Sequence, residues 1–459
     1  MVTVWGMPTD RNNPGRPERL SVSGKLFVIL AVSLMLGGCG ILAKKKVKPL
    51  PGERISVMAQ GAAYLADPEI SKMPVITAPP TANPDWTQVG GGPTHTSYHL
   101  ALAAAPRQLF RVGAGRGSAK EHRLLSQPVV DAKGRIYVMD AHARVTAFNG
   151  DTGKRIWRRD LRPKEERDGT LGAGLAVVDG KLFATTGFAQ VLALDAERGD
   201  LLWRRKLSAP FRSAPTVSDG RVYAVSIDNR THALDAGSGK VMWTHRGTAE
   251  QAALLGGASP AYHAGVLVVA YSSGEIFGLR SSTGRELWSD FLTKTRRTSA
   301  IATIADIRGA PIIDRGRVFV VNNAGQMLSL VLNTGVRIWQ RKIAAINSPW
   351  VGGEFIYLLT TGNILVCLTR KDGRIRWSRS LPVYKDQKNL KGRISWSGPI
   401  LAGDRLVLAG TNREVLAISP YSGDLLGQIR LSDGVGISPL VARNTLYVLT
   451  EDADLYAWR

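Results

Sequence analysis

The run ALDAERGDLLW at Ala193–Trp203 decides the fold, because its pattern recurs along the chain. An apolar segment leads into a turn, and Gly199 precedes Trp203 by four residues. The same spacing is found at Gly153/Trp157, Gly239/Trp243, Gly284/Trp288, Gly335/Trp339 and Gly373/Trp377. A seventh copy, Gly423/Gly427, lacks the tryptophan. Successive slots of this kind lie 38–51 residues apart, which is the length of one four-stranded β-propeller blade.

A proline marks the beginning of each repeat. It occurs at Pro128, Pro215, Pro260, Pro311, Pro349, Pro399 and Pro439, and Leu175 takes its place in one further copy. From this position, 28 or 29 residues lead to the next tryptophan slot, whereas the stretch from a tryptophan to the next proline varies in length. The repeat therefore has a constant part and a variable connection, and its first position occurs eight times.

The constant part is typical of four short strands. Alternating runs such as RVYAV at residues 221–225 and RVFVV at residues 317–321 predict half-buried strands. The turn glycine supplies a positive φ angle, and a proline without an N–H is tolerated where a strand begins. The sequence therefore predicts an all-β fold, an eight-bladed β-propeller of four-stranded antiparallel blades.

The last repeat is shorter than the others. DADLYAWR at Asp452–Arg459 stops before the turn and before the outermost strand. An open ring would leave exposed strand edges, so we expect a strand from the N-terminal side to complete this blade. RQLFRVGAG at Arg107–Gly115 fits best, since it places Phe110 in the aromatic slot, and DWTQVGG at Asp85–Gly91 is the weaker candidate.

The repeated aromatic residues are interpreted as structural. One slot in every repeat suits packing between neighbouring blades, whereas a binding platform would bring aromatic side chains together in one place. This prediction covers Trp157, Trp203, Trp243, Trp288, Trp339, Trp377 and Phe110.

The N-terminus has the pattern of an export signal. Lys25 precedes the apolar run LFVILAVSLML at residues 26–36, which is too short to span a bilayer as a helix. LGGC at Leu36–Cys39 resembles a bacterial lipobox, in which the cysteine becomes the first mature residue and carries lipid. We therefore expect a signal peptide at residues 1–38, a lipidated tether with a proline-rich linker at residues 39–84, and the propeller at residues 85–459.

The chain is strongly basic, with a formal net charge of +23. Such charge is typical of nucleic-acid binding. The export signal and the absence of a nucleic-acid motif argue against that partner and favour an anionic membrane surface or polyanionic sugars. Neither the sequence nor the spacing of its seven histidines indicates a metal or a cofactor, and none is predicted.

The LDAxxGxxxW repeats, the lipobox and the eight repeats together resemble the BamB family, the propeller lipoproteins of the machinery that inserts β-barrels into the bacterial outer membrane. The resemblance implies a non-catalytic scaffold, anchored by lipid at Cys39 to the periplasmic face of the cell outer membrane. It also implies binding to a POTRA domain of a BamA-like subunit and association with the other subunits of the complex. Unfolded outer-membrane proteins are further candidate partners.

Two loops carry the contact residues that the resemblance implies. They precede consecutive repeat prolines and read ALLGGASP at Ala253–Pro260 and TIADIRGAP at Thr303–Pro311. The partner-binding residues are then Leu254, Leu255, Asp306 and Arg308. Leu255 replaces an arginine of the family pattern, and Arg308 replaces an acidic residue. Both loops belong to the variable connections of the repeat, where scaffold proteins place function.

Two other function classes remain open. Quinone-dependent dehydrogenases share the repeat, but they need metal ligands and commonly adjacent cysteines, whereas Cys39 and Cys367 are the two cysteines of this chain. A surface propeller that binds glycans or acts as a sensor is the third interpretation. The sequence favours the scaffold, which is not an enzyme.

Overall fold

The structure is a computed structural model that describes residues 64–166, 173–250, 254–292 and 306–459. The predicted signal peptide and Cys39 lie outside the described residues. The described part contains no α-helix and is built from short strands. Within it, no helix has the length and hydropathy needed to cross a membrane.

The described residues form eight four-stranded antiparallel sheets, which are the blades of a propeller. Blades 1 to 4 contain β2–β5 (Val129–Val130, Arg135–Met139, Arg144–Asn149, Arg155–Asp160), β6–β9 (Ala173–Val178, Lys181–Thr186, Gln190–Asp195, Leu201–Lys206), β10–β13 (Thr216–Ser218, Arg221–Val225, Arg230–Asp235, Val241–Arg246) and β14–β17 (Ala261–His263, Val266–Ala270, Glu275–Arg280, Glu286–Phe291).

Blades 5 to 7 contain β18–β21 (Ile312–Asp314, Arg317–Val321, Met327–Val331, Arg337–Arg341), β22–β25 (Trp350–Gly352, Phe355–Leu359, Ile364–Thr369, Ile375–Ser380) and β28–β31 (Trp396–Ala402, Arg405–Gly410, Glu414–Ile418, Leu425–Arg430). Blade 8 consists of β32–β34 (Leu440–Ala442, Thr445–Leu449, Asp454–Trp458) and β1 (Gln108–Gly113). A separate hairpin, β26–β27 (Tyr384–Asp386, Lys391–Arg393), lies in the connection between blades 6 and 7. The eight-bladed fold is confirmed.

The first strand of each blade lies at the centre of the ring. First strands of neighbouring blades contact one another, and nearly all of their described side chains are buried. Most of these strands begin directly after the repeat proline, as β10 does after Pro215. The fourth strands lie at the rim and are mostly exposed. Clusters of buried hydrophobic residues fill the interfaces between neighbouring blades.

The ring is closed by β1, as the sequence predicts. This strand pairs antiparallel with β34, and Phe110 lies opposite Ala457. The pairing has the same irregularity that accompanies the tryptophan slot elsewhere, for example where Trp157 lies opposite Ala147. The weaker candidate, Asp85–Gly91, does not provide the closing strand.

The repeated tryptophans contact the next blade in one common way. The indole N–H of Trp157 donates to the carbonyl of Ala196 at 3.1 Å, and Trp377 donates to Pro420 at 3.0 Å. The turn glycine of the next blade lies beneath the ring, so that a Cβ on Gly199 would come within 2.7 Å of Trp157. Glycine is required there by this close approach and by a φ angle of +75°.

Blade 7 lacks the tryptophan for a structural reason. The third and fourth strands of blade 8 are the last and the first strands of the described chain, β34 and β1, so no turn joins them. A tryptophan at Gly427 would therefore find neither the turn glycine nor the carbonyl acceptor that the other blades supply. The space beside the Gly427 Cα is open, and a Cβ added there would have no described atom within 4 Å.

A segment that the repeat does not contain fills one end of the central channel. Residues 83–100, here called the channel segment, run once around the inside of the ring. Hydrogen bonds link them to the inner strands of blades 8, 1, 2, 3, 4, 5, 6 and 7 in that order, through Asn83, Trp86, Thr87, Gln88, Pro93, Thr94, Tyr98 and Leu100. Apart from Trp350, whose side chain donates from the start of β22, the acceptors and donors lie near the last residues of those strands. The segment therefore occupies the end of the channel where the inner strands end.

Residues 64–80 pack along the outside of blades 6 and 7. Arg374 of blade 6 forms ion pairs with Asp67 and Glu69, both at 2.6 Å. Thr77 and Tyr421 share a hydrogen bond of 3.2 Å between their hydroxyls. Part of the predicted linker at residues 39–84 therefore lies against the propeller.

Candidate partner-binding surface

Two loops on one face of the ring bring the predicted contact residues together. The described parts of these loops are residues 254–259 before blade 4 and residues 306–310 before blade 5. The backbone N–H of Leu254 donates to Asp306 Oδ2 at 2.6 Å, which ties one loop to the other. Residues that are 52 positions apart in sequence thus form one surface, here called the loop cluster (Leu254, Leu255, Asp306 and Arg308).

Asp306 is an internal member of the loop cluster. It is 2% exposed, and burial raises the pKa of its carboxyl above the usual value, although the Leu254 N–H and the charges of Arg308 and Arg212 act in the opposite direction. A buried carboxylate is stable only with such partners. Asp306 therefore holds the two loops in register and does not itself face outward.

Arg308 lies across the neighbouring loop. Its Nε would be 2.9 Å from a Cβ on Gly256, whose φ angle is +101°, so Gly256 makes room for the guanidinium. Burial lowers the pKa of the Arg308 side chain, and the charge of Asp306 acts against this effect. Among the described residues Arg308 forms neither an ion pair nor a side-chain hydrogen bond, so its donors are available to a partner.

The outward-facing part of the loop cluster is apolar. Leu255 is 36% exposed, and Ile227, in the turn between the second and third strands of blade 3, is 37% exposed. Ile227 lines a small cavity of about 40 Å³ together with Gly256 and Asp306. The surface therefore combines exposed aliphatic side chains with the half-buried, unpaired cation of Arg308, which also lines the central channel.

Sequence analysis missed Arg212, which belongs to the same region. Arg212 precedes Pro215 by three residues, and Arg308 precedes Pro311 by the same distance. Because the repeat places equivalent residues in equivalent positions, both arginines face the central channel from alternate blades. Their common offset from the repeat proline is the signal that would have found Arg212.

The other candidate residues lie elsewhere. The six repeat tryptophans and Phe110 are located at blade interfaces, away from the loop cluster. Cys367 is a buried free thiol in blade 6, and burial raises its pKa. In the described ranges, no group of three or more histidine, cysteine, aspartate or glutamate side chains is arranged to hold a metal ion.

A family model described as outer membrane protein assembly factor BamB matches residues 141–379 and 386–458. The chain belongs to the BamB family. A relative from Alkalilimnicola ehrlichii is 34% identical over 82% of this chain and 91% of its own length. The Escherichia coli K12 relative is 29% identical over 75% of this chain and 86% of its own length. Both are named outer membrane protein assembly factor BamB.

Solved structures support the fold. BamB from Moraxella catarrhalis superimposes with a TM-score of 0.65 at 18% identity, covering 77% of this chain and all of that one. The quinohemoprotein alcohol dehydrogenase of Comamonas testosteroni superimposes with a TM-score of 0.64 at 14% identity, covering 85% of this chain and 82% of that one. These likenesses establish a common propeller architecture, which BamB proteins share with dehydrogenases, and they do not separate the two functions.

Proposed function

We propose that this protein is a non-catalytic scaffold lipoprotein of the outer-membrane β-barrel assembly machinery, which binds a POTRA domain of a BamA-like subunit through the loop cluster. Membership of the BamB family supports the role in assembly. The hydrogen bond from Leu254 to Asp306 carries the assignment of the surface, because it joins the two loops into one continuous patch.

The chemistry of the patch specifies the partner surface. Leu255 and Ile227 supply exposed aliphatic area, and Arg308 supplies a half-buried guanidinium that has no ion pair among the described residues. Interfaces of this kind draw most of their affinity from a small desolvated centre with arginine and large apolar residues. The complementary POTRA surface therefore presents apolar side chains next to a carboxylate.

The proposed attachment is a lipid on Cys39, which would hold the propeller at the periplasmic face of the outer membrane. Unfolded outer-membrane proteins would be the clients of the complex. Metabolic labelling of the expressed chain with a fatty-acid analogue tests this step. Label on the wild type and none on Cys39→Ser is expected, and equal label on both would refute the anchor.

Co-purification tests the scaffold role. The tagged chain should recover a BamA-like barrel protein with POTRA domains from solubilised outer membranes. Leu255→Asp should abolish this recovery. Leu201→Asp, which alters a similarly exposed leucine in the rim strand β9, is the matched control and should leave recovery unchanged. Recovery by Leu255→Asp at the wild-type level would show that the loop cluster is not the contact.

An activity assay addresses the dehydrogenase alternative. Purified chain would be incubated with a quinone cofactor, calcium and a dye, and alcohol oxidation followed. The scaffold role predicts no turnover above that of the same chain after heat denaturation. Sustained, protein-dependent dye reduction would overturn the non-catalytic assignment.

A further inference from the structure

The central channel contains a cavity of about 190 Å³ on the side where the inner strands begin. The channel segment forms its floor through Trp86, Gly90 and His95. The residues that precede the repeat prolines form its wall, since these positions face inward in successive blades. The cavity is thus a pocket with a floor of its own. It shares Arg308 with the loop cluster, whereas Leu254, Leu255 and Asp306 do not line it.

Two arginines from alternate blades contribute to the wall. Arg212 and Arg308 occupy the position three residues before the repeat proline, and Gly257 occupies it in the blade between them. Gly257 has no side chain that could project into the cavity between these two positions. In the described part of the chain neither arginine has an ion pair. The charge of Asp306 interacts with both arginines, but its side chain lines an adjoining cavity and accepts a hydrogen bond from the Leu254 N–H.

Two further groups point to a ligand. His95 is 3% exposed and donates from Nδ1 to the carbonyl of Pro311 at 2.8 Å, so its other ring nitrogen, Nε2, is an acceptor without a partner among the described residues. Burial lowers the pKa of His95 to about 4, so this acceptor is neutral at pH 7. Ser213 Oγ, also buried, has no hydrogen-bond partner in the described ranges either. Buried polar groups in folded proteins are almost always paired, so these two imply a partner that enters the cavity.

We infer that this cavity binds a small carboxylate that carries its own hydrogen-bond donor, with Arg212 and Arg308 holding the carboxylate and His95 Nε2 accepting from the donor. Guanidinium groups pair with carboxylates through charge-assisted hydrogen bonds. Two chemical sources fit: the free carboxyl end of a polypeptide, whose donor is its last peptide N–H, and a free hydroxy acid.

Calorimetric titration of the purified full chain distinguishes these sources. The probes are N-acetyl-glycylglycine, its C-terminal amide, and glycolate, each at concentrations up to about 10 mM. Heat of binding from the acids and none from the amide is expected. Tighter binding of the peptide acid would identify the ligand as the carboxyl end of a polypeptide, and tighter binding of glycolate would identify it as a free hydroxy acid. Equal binding of the peptide acid and its amide, or no binding by any probe, overturns the inference.

Variants locate the site. Arg212→Gln and Arg308→Gln should each weaken acid binding about tenfold to a hundredfold, because each removes a charge-assisted bond. Arg204→Gln, which removes the same charge from the exposed rim strand β9, is the control and should bind as the wild type does. His95→Asn keeps a donor for the Pro311 carbonyl, and asparagine tolerates the φ angle of 60° at this position. This variant should bind both acids more weakly.

The outcome is separable from that of the proposed scaffold role. Leu255→Asp should no longer bind the POTRA partner but should still bind the small acid, because Leu255 does not line the cavity. His95→Asn should bind the small acid weakly and should bind the POTRA partner as the wild type does. Undiminished acid binding by Arg212→Gln would refute the assignment of the cavity while leaving the scaffold role intact.

Discussion

The blade interfaces and the loop cluster differ in how completely their polar groups are paired. At the blade interfaces each repeat tryptophan donates its indole N–H to a carbonyl of the next blade and covers a turn glycine. In the loop cluster, Asp306 is paired but Arg308 beside it has no partner among the described residues. The tryptophan donors that join the blades are all paired, whereas the guanidinium of the loop cluster is left for a partner.

The largest effect is expected at a blade interface. Trp288 is 7% exposed and donates to the carbonyl of Leu332 at 2.6 Å. Trp288→Ala should lower the free energy of unfolding by about 3–5 kcal/mol, because it removes a large buried side chain and leaves a cavity. Chemical denaturation measures this change. The neighbouring Leu287→Ala, at an exposed position, should cost less than about 1 kcal/mol, and equal losses would contradict the packing role.

The next largest effect is a dependence of stability on pH that arises in the channel segment. Burial lowers the pKa of His95 to about 4, below the value of about 6.5 in the unfolded chain. Protonation therefore favours the unfolded state, and the stability that neutral His95 supports is present above pH 6.5 and is lost as the pH falls towards 4. The loss amounts to as much as about 3 kcal/mol.

Denaturation curves between about pH 7 and pH 4 test this dependence in the wild type and in His95→Asn. The variant cannot titrate at this position, so its stability should fall less over the same range. Parallel curves for the two proteins would show that His95 does not control the acid sensitivity.

A smaller effect on stability is expected where the two loops are joined. Asp306→Ala removes the acceptor of the part-buried Leu254 N–H, and a hydrogen bond to a charged group contributes about 1.5–3 kcal/mol. The variant should also bind the POTRA partner less well, since its loops are no longer held together. Asp306→Asn keeps an acceptor oxygen and should recover most of both losses. Thermal unfolding and partner titration measure the two effects separately.

The smallest effect on stability is expected at the unpaired cation of the loop cluster. Arg308→Gln breaks no ion pair or side-chain hydrogen bond among the described residues and places no second carboxylate beside Asp306, so the free energy of unfolding should change by no more than about 1 kcal/mol. Partner affinity should nevertheless fall at least about tenfold, because the proposed contact loses its charge. A large loss of stability with unchanged affinity would place Arg308 with the structural residues instead.

The architecture could be predicted because it is repeated. A spacing of 28 residues between Pro215 and Trp243, and again between Pro311 and Trp339, identifies the blade and shows what the last repeat lacks. Phe110 could then be assigned to the closing strand by its position alone. The physical basis is that one blade cannot bury its faces by itself, so every blade must offer its neighbour the same contacts.

The channel segment could not be predicted by the same reasoning. Its hydrogen bonds, such as those between Trp86 and Val130, use mostly backbone groups and are spread over the inner strands of the whole ring. It occurs once, so no spacing reveals it. The sequence could not show that Asp306 is buried, because a spacing of two residues between Asp306 and Arg308 does not indicate which of the two side chains faces outward.

The most direct measurement is the affinity of the purified chain for the POTRA domains of the co-occurring BamA-like subunit, compared between Leu255→Asp and Leu201→Asp. Both substitutions place a charge on an exposed leucine, one in the loop cluster and one at the rim. We predict a loss of at least about tenfold for Leu255→Asp, wild-type affinity for Leu201→Asp, and unchanged unfolding midpoints for both. Equal affinities for the two variants would contradict the assignment of the loop cluster as the surface that binds the partner.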